Sequence, residues 1–199
     1  MGLYHLSTEI PPCGEDEESP ACARLGEVLR VEIMHRVKQG YEAFYCGADR
    51  GGGMLFAEQV LQVKNREYPS IRLICVILYE NRAGRWPERG RERYFRLLEQ
   101  ASEEVLISRR YTRDCYERQN RYMVDQANVL LAVYNGSSKG GAARTLEYAG
   151  SRAKEIVLLD PNTLERTVIP PRLALVPPGS EAEGYSPSAT IFSSTAIRS

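Results

Sequence analysis

The 199-residue sequence has little histidine, one tryptophan and no excess of charge of either sign. Each scarcity excludes something. Lys plus Arg equals Asp plus Glu at 26 each, so overall charge does not point to nucleic acid or to an anionic membrane surface. No stretch of about 18 apolar residues occurs, so no helix is predicted to span a bilayer. The start, Met1 to Glu18, turns acidic where a secretory signal needs a basic flank and a long apolar run, which predicts a cytoplasmic protein. The only histidines are His5 and His35, so a histidine metal site or a Ser-His-Asp triad would depend on one of them. His35 falls in a helical pattern beside Arg36 and reads as a surface or boundary residue. The cysteines, Cys13, Cys22, Cys46, Cys75 and Cys115, are odd in number and form no CxxC pair. They read as reduced thiols rather than a disulfide frame or zinc site. No metal ligands, cofactor or catalytic residues are assigned.

What is present is an alternation of helical and strand patterns. Ser19-Pro20 reads as a cap with proline in the first turn, followed by Leu25, Val28, Leu29, Ile33 and Val37 on one helical face as far as Gly40. Ala43–Cys46 is a short buried strand, and Gly47–Gly53 turns the chain into a second helix bearing Leu55, Phe56, Val60 and Val63. Ile71–Tyr79 is the clearest strand. Pro87 opens a charged helix to about Gln100, and Val105–Ile107 is a short strand. A helix over about Arg113–Gln126, a strand over Val129–Tyr134, a helix from Gly140-Gly141 through Arg152 and a strand over Ile156–Leu159 complete the pattern. This is the signature of an α/β, Rossmann-like three-layer fold with a mostly parallel sheet over residues 1–160. From 161 to 199, Pro, Ser and Thr dominate and predict a poorly ordered tail, in which Leu173–Val176 and Ala189–Phe192 could add short strands.

In such sheets ligands bind at the carboxyl ends of the strands. Both glycine turns, the loop Asn81–Trp86 and the loop Arg109–Arg113 fall on that edge. Glycine lets the backbone approach a phosphate, and a helix start supplies partial positive charge. Neither turn is a standard motif: Gly47–Gly53 lacks the GxGxxG spacing, and Gly136–Gly141 lacks the Gly-Lys-Ser/Thr order. Either could equally be a tight packing turn.

Arginine, well suited to phosphate or carboxylate, occurs eleven times between Arg82 and Arg121, where lysine is absent. Arg85, Arg109 and Arg110 lie nearest the predicted strand ends; the mid-helix arginines read as a solvated face. Trp86 could stack on a base or cap the helix behind it. Asn120 could bond a ligand or a loop, Asp125 could pair with Arg121, and Glu147 could be a catalytic carboxylate or a surface residue.

Five stretches carry a family resemblance: Cys46–Glu58, Glu80–Pro87, Arg118–Asp125, Leu131–Gly136 and Gly140–Ala149. Over about residues 11–161 the chain resembles the YpsA-like branch of the SLOG superfamily, which joins the Smf/DprA and LOG proteins. The resemblance implies a Rossmann-like fold, a nucleotide or nucleotide-derived ligand, and a binding or sensing role rather than an enzymatic one. With the glycine turns, it points to Gly47, Asp49, Arg50, Gly51, Gly52, Gly53, Arg85, Trp86, Asn120, Asn135, Gly140, Gly141 and Thr145 as ligand-binding residues. Alternatives are a LOG-like N-glycosidase using Glu147 with Arg85 or Arg144, and a degenerate paralogue without ligand. The expected partner is a nucleotide-like small molecule, not a membrane; nucleic acid is disfavoured and a homo-oligomer stays open.

Three departures stand out. The family opens with a strand ending in Thr-Gly-His-Arg, to which only His5 could correspond, so the first strand reads as short or missing. Residues 2–6 could form a stub, neighbouring strands could close up, or the coding sequence could begin upstream. Gly53 stands where the family carries aspartate, and Ala142 where it carries threonine.

Overall fold

The computed structural model describes residues 1–7 and 19–171. A seven-stranded sheet with strand order β4-β3-β2-β1-β5-β6-β7 forms its centre. The strands are β1 (Gly2–Ser7), β2 (Ala43–Cys46), β3 (Arg72–Ile77), β4 (Glu103–Leu106), β5 (Val129–Val133), β6 (Glu155–Leu159) and β7 (Arg166–Ile169). The first six are parallel; β7 is antiparallel to β6. The helices are α1 (Pro20–Lys38), α2 (Gly52–Arg66), α3 (Glu88–Gln100), α4 (Cys115–Gln126) and α5 (Gly141–Ser151).

Side-chain alternation along the strands builds the three layers. Leu3, Phe44, Leu73, Leu131 and Val157 face one side and pack with Leu29 of α1, Phe56 of α2 and Leu97 of α3. Tyr4, Ile74, Val76, Leu130 and Ile156 face the other and pack with Met123 of α4 and Ala149 of α5. Strands buried on both faces have no polar side, which is why they read as continuous apolar runs.

The first strand is present: residues 2–6, one of the readings left open for it, do form a strand, which runs on to Ser7. β1 pairs with β2 on one side, Leu3 opposite Phe44, and with β5 on the other along Leu3 to Ser7. Backbone pairing on both flanks extends a segment whose apolar content alone looked too slight. A second correction concerns the end of the sheet. Residues 166–169, assigned by composition to the tail, form β7, with Val168 opposite Val157. Leu173–Val176 and Ala189–Phe192 lie outside the described residues. A third concerns the cysteines: Cys22 is disulfide-bonded, so the reading as free thiols holds for Cys46, Cys75 and Cys115.

Candidate functional site

The strand order reverses at β1. β2, β3 and β4 are laid down on one side of it and β5 and β6 on the other, which leaves a crevice at the carboxyl ends of β1 and its neighbours. The turn after β2 and the turn after β5 flank this point. Between them lies a cleft of about 720 Å³.

The first turn is built close. Ala48 adopts a left-handed conformation (φ 48°) while fully buried, and Gly51 caps α2 at φ 79° without supplying a side-chain hydrogen bond. A Cβ on Gly47 would come within 2.7 Å of Asp49 Oδ2 and 3.1 Å of Gln119 Nε2. Glycine at 47 therefore lets the Asp49 and Gln119 side chains share the space above the end of β2. Gln119 is held in place by donating from Nε2 to the Val76 carbonyl at 2.6 Å.

The second turn is open. Gly140 has φ 102° and ψ −173°, a conformation essentially restricted to glycine. Behind it runs a chain of hydrogen bonds through three elements. Tyr4 Oη donates to Asn120 Oδ1 at 3.0 Å, Asn120 Nδ2 donates to Thr145 Oγ1 at 3.0 Å, and Thr145 Oγ1 donates to the Gly141 carbonyl at 2.8 Å. Asn120 also lines the cleft, but both ends of its amide are committed to this chain. Thr145 is buried and lines the neighbouring α4–α5 groove.

The cleft is strongly cationic. Among the described residues lining it, Arg50, Arg82, Arg113, Lys139 and Arg144 stand against one carboxylate, Asp49. Of the residues expected from the sequence, Asp49, Arg50, Gly52, Trp86, Asn120, Asn135, Gly140 and Gly141 line it; Gly47, Gly51 and Gly53 shape the first turn behind it. Arg85 is exposed and outside the lining, as are Arg109 and Arg110. Asp125 pairs with Arg152 at 3.1 Å and accepts from Tyr148, whereas Arg121 pairs with Glu117. Glu147 lines the α4–α5 groove and not the cleft.

The residue that sequence reasoning missed is Arg82, in the 3-10 turn Arg82–Arg85. Its side chain is only 9% exposed and forms an ion pair with Asp49. Its Cζ lies 5.9 Å from the centre of the Trp86 ring and 5.7 Å from that of Tyr116. Burial pulls the guanidinium below its ordinary pKa, opposed by Tyr116 and Tyr94, and arginine stays protonated all the same. Trp86 also meets Tyr94 edge to face, with centroids 5.2 Å apart. Among the described residues no cluster of three His, Cys, Asp or Glu side chains could hold a metal, and no helix is long and apolar enough to cross a membrane.

A family model described as the YspA SLOG family matches residues 15–164. The chain is 28% identical over 145 residues to a UPF0398 protein of Halalkalibacterium halodurans, covering 70% of this chain and 76% of that protein. It is 25% identical over 126 residues to a UPF0398 protein of Bacillus pumilus, covering 62% and 67%, and 24% identical over 139 residues to one of Bacillus thuringiensis, covering 69% and 75%.

Proposed function

Because the chain belongs to the YspA SLOG family, which is associated with nucleotide-related functions, we propose that it binds or senses a nucleotide or nucleotide-derived ligand in the cytoplasm, in the cleft between its two glycine turns. One observation carries the reading: five cationic side chains and a single carboxylate line a cleft of about 720 Å³ at the point where the strand order reverses. A cleft of that size and sign suits an anionic small molecule.

The residues assigned to the ligand are Arg50, Gly52, Asn135, Gly140 and Gly141, with Arg82, Arg113, Lys139 and Arg144 added; Asp49 stands among them as the one carboxylate of the lining. Gly47, Gly51 and Gly53 give the first turn its shape. Asn120 and Thr145 are assigned to positioning the second turn, because their hydrogen bonds run to each other, to Tyr4 and to Gly141.

A thermal-shift screen with AMP, ADP-ribose and dinucleotides tests the reading. A ligand at a hundred times its Kd stabilises by about 2.7 kcal/mol. For a chain of this size that is an upward shift of roughly 5–11 °C. No shift with any of these compounds overturns the reading.

A further inference from the structure

The ion pair between Arg82 and Asp49 shows which part of a ligand the cleft floor suits, given the reading of that cleft as a ligand site. A guanidinium offers five N–H donors in a fixed fork. In Arg82, Nη2 meets Asp49, while Nη1 is buried and has no hydrogen-bond partner among the described residues. A charged donor left so is costly unless something else fills its place. The side chain is held ready: nine-tenths buried, with the Trp86 and Tyr116 rings within 6 Å of Cζ.

The second half of the seat is the start of α2. This helix is 15 residues long, has no acidic residue in its first turn and follows Gly51, which supplies no side-chain cap. Its first residue, Gly52, lines the same cleft. The Asp49 carboxylate thus stands beside a buried arginine and an uncapped helix start, the surroundings that favour a bound anion. The two partners differ in freedom. Arg82 is 9% exposed at its side chain, Asp49 45%. An incoming anion can send the carboxylate out to water while the guanidinium stays where it is.

We propose that Asp49 is an internal stand-in for the ligand's anion: a phosphate group seats on Arg82 and the start of α2 and displaces the Asp49 carboxylate. Trp86 then orients Arg82 and does not stack on a base.

Calorimetric titration of the full chain with inorganic pyrophosphate, AMP and adenosine tests this. Arg82→Met lowers affinity for pyrophosphate and AMP by about tenfold or more, the scale of a lost charge-assisted hydrogen bond, and leaves adenosine unaffected. Asp49→Asn acts in the opposite direction. With the competitor neutralised, more of the protein presents an open seat, and pyrophosphate binds about fivefold more tightly. A misfolded variant cannot produce that gain. Pyrophosphate that fails to bind both the wild type and the Asp49→Asn variant, or that binds the wild type, Arg82→Met and Asp49→Asn alike, overturns the seat. AMP binding indifferent to Arg82 keeps the nucleotide reading and sinks the seat. Arg82-dependent pyrophosphate binding with no nucleotide bound keeps the seat and sinks the nucleotide reading.

Discussion

Arg166 donates from Nε to Glu32 Oε2 at 2.9 Å, tying the antiparallel edge strand β7 to the middle of α1 across 134 residues of sequence. Glu32 is itself only 6% exposed at its side chain and also accepts from Arg36, which reaches on to Glu155 of β6 at 2.6 Å. Two arginines and two glutamates thus fasten one edge of the sheet to a helix.

Removing Glu32 leaves Arg36 buried with Glu155 as its one remaining carboxylate, beside the Gln39 amide. Breaking a buried pair at one partner costs about 3–5 kcal/mol, and the surviving Glu155 contact puts Glu32→Ala near the lower end, a fall in Tm of roughly 6–12 °C. The pH dependence has a definite sign. Burial pushes the Glu32 carboxyl up, but hydrogen bonds and charge from Arg166 and Arg36 outweigh it and bring the group below its ordinary value of 4.5. A carboxyl depressed on folding contributes stability that is present above its unfolded pKa and lost as the pH falls through the folded one. Urea melts of wild type and Glu32→Gln should converge below about pH 4; a constant gap down to pH 3 contradicts this assignment.

His5 also loses stability on acidification, but as a base kept neutral and in a higher pH window. It lies in the central strand, stacked on Phe56 with ring centroids 4.5 Å apart and planes 10° from parallel. Burial pushes its pKa down to about 3, and contacts with the Gly52 and Leu131 backbone oppose this only in part. Between about pH 6.5 and 3 the unfolded chain takes up a proton that the folded one refuses. Stability from this residue is complete above pH 6.5 and falls by about 1.4 kcal/mol per unit below it. At pH 5 the loss is roughly 2 kcal/mol. His5→Phe, which keeps a ring on Phe56, should flatten the wild-type slope by that amount in melts at pH 7 and pH 5. Parallel slopes would show that the imidazole is protonated in the fold.

Much of the fold was legible because its elements repeat a simple pattern. Val129–Val133 is five consecutive buried apolar residues, and Leu25, Leu29 and Ile33 are spaced for one helix face. The reading was weakest where pairing, not composition, makes the element. Gly2–Ser7 is a strand because β2 and β5 both bond to it, and Arg166–Ile169 because β6 does. The glycine turns could be placed at the carboxyl edge of the sheet from chain order alone. The arginine could not. Arg82 and Arg85 sit three residues apart among eleven arginines, and nothing in their spacing separates them. The 3-10 turn brings Arg82 to Asp49 and leaves Arg85 in solvent, a distinction that exists only once α2 and β3 are packed.

The chain from Tyr4 through Asn120 to Thr145 predicts coupling rather than ligand contact. Tyr4 is 1% exposed, so Tyr4→Phe leaves Asn120 Oδ1 without its donor at a cost of about 1–3 kcal/mol. Thr145→Val removes the acceptor at the other end of the same amide. Because both changes act on Asn120, the double variant should depart from additivity by about 0.5–3 kcal/mol in denaturant melts. Additive costs would mean that the two bonds do not work through one side chain.

The two glycines that begin α5 make the sharpest contrast. Among the described residues no neighbour lies within 4 Å of a Cβ placed on either, so crowding by them plays no part in replacing them. They differ in backbone alone. Gly140 holds φ 102° and ψ −173°, where an L side chain costs about 1–3 kcal/mol, whereas Gly141 is the first residue of the helix and has no positive φ. Gly140→Ala should therefore destabilise by that amount and loosen the first turn of α5, seen as faster amide exchange there. Gly141→Ala should stabilise by about 0.4–1 kcal/mol through the lower entropy of the unfolded chain. Opposite signs at adjacent, equally uncrowded positions can come only from backbone conformation. If both variants shift stability in the same direction, the second turn does not hold the geometry described for it.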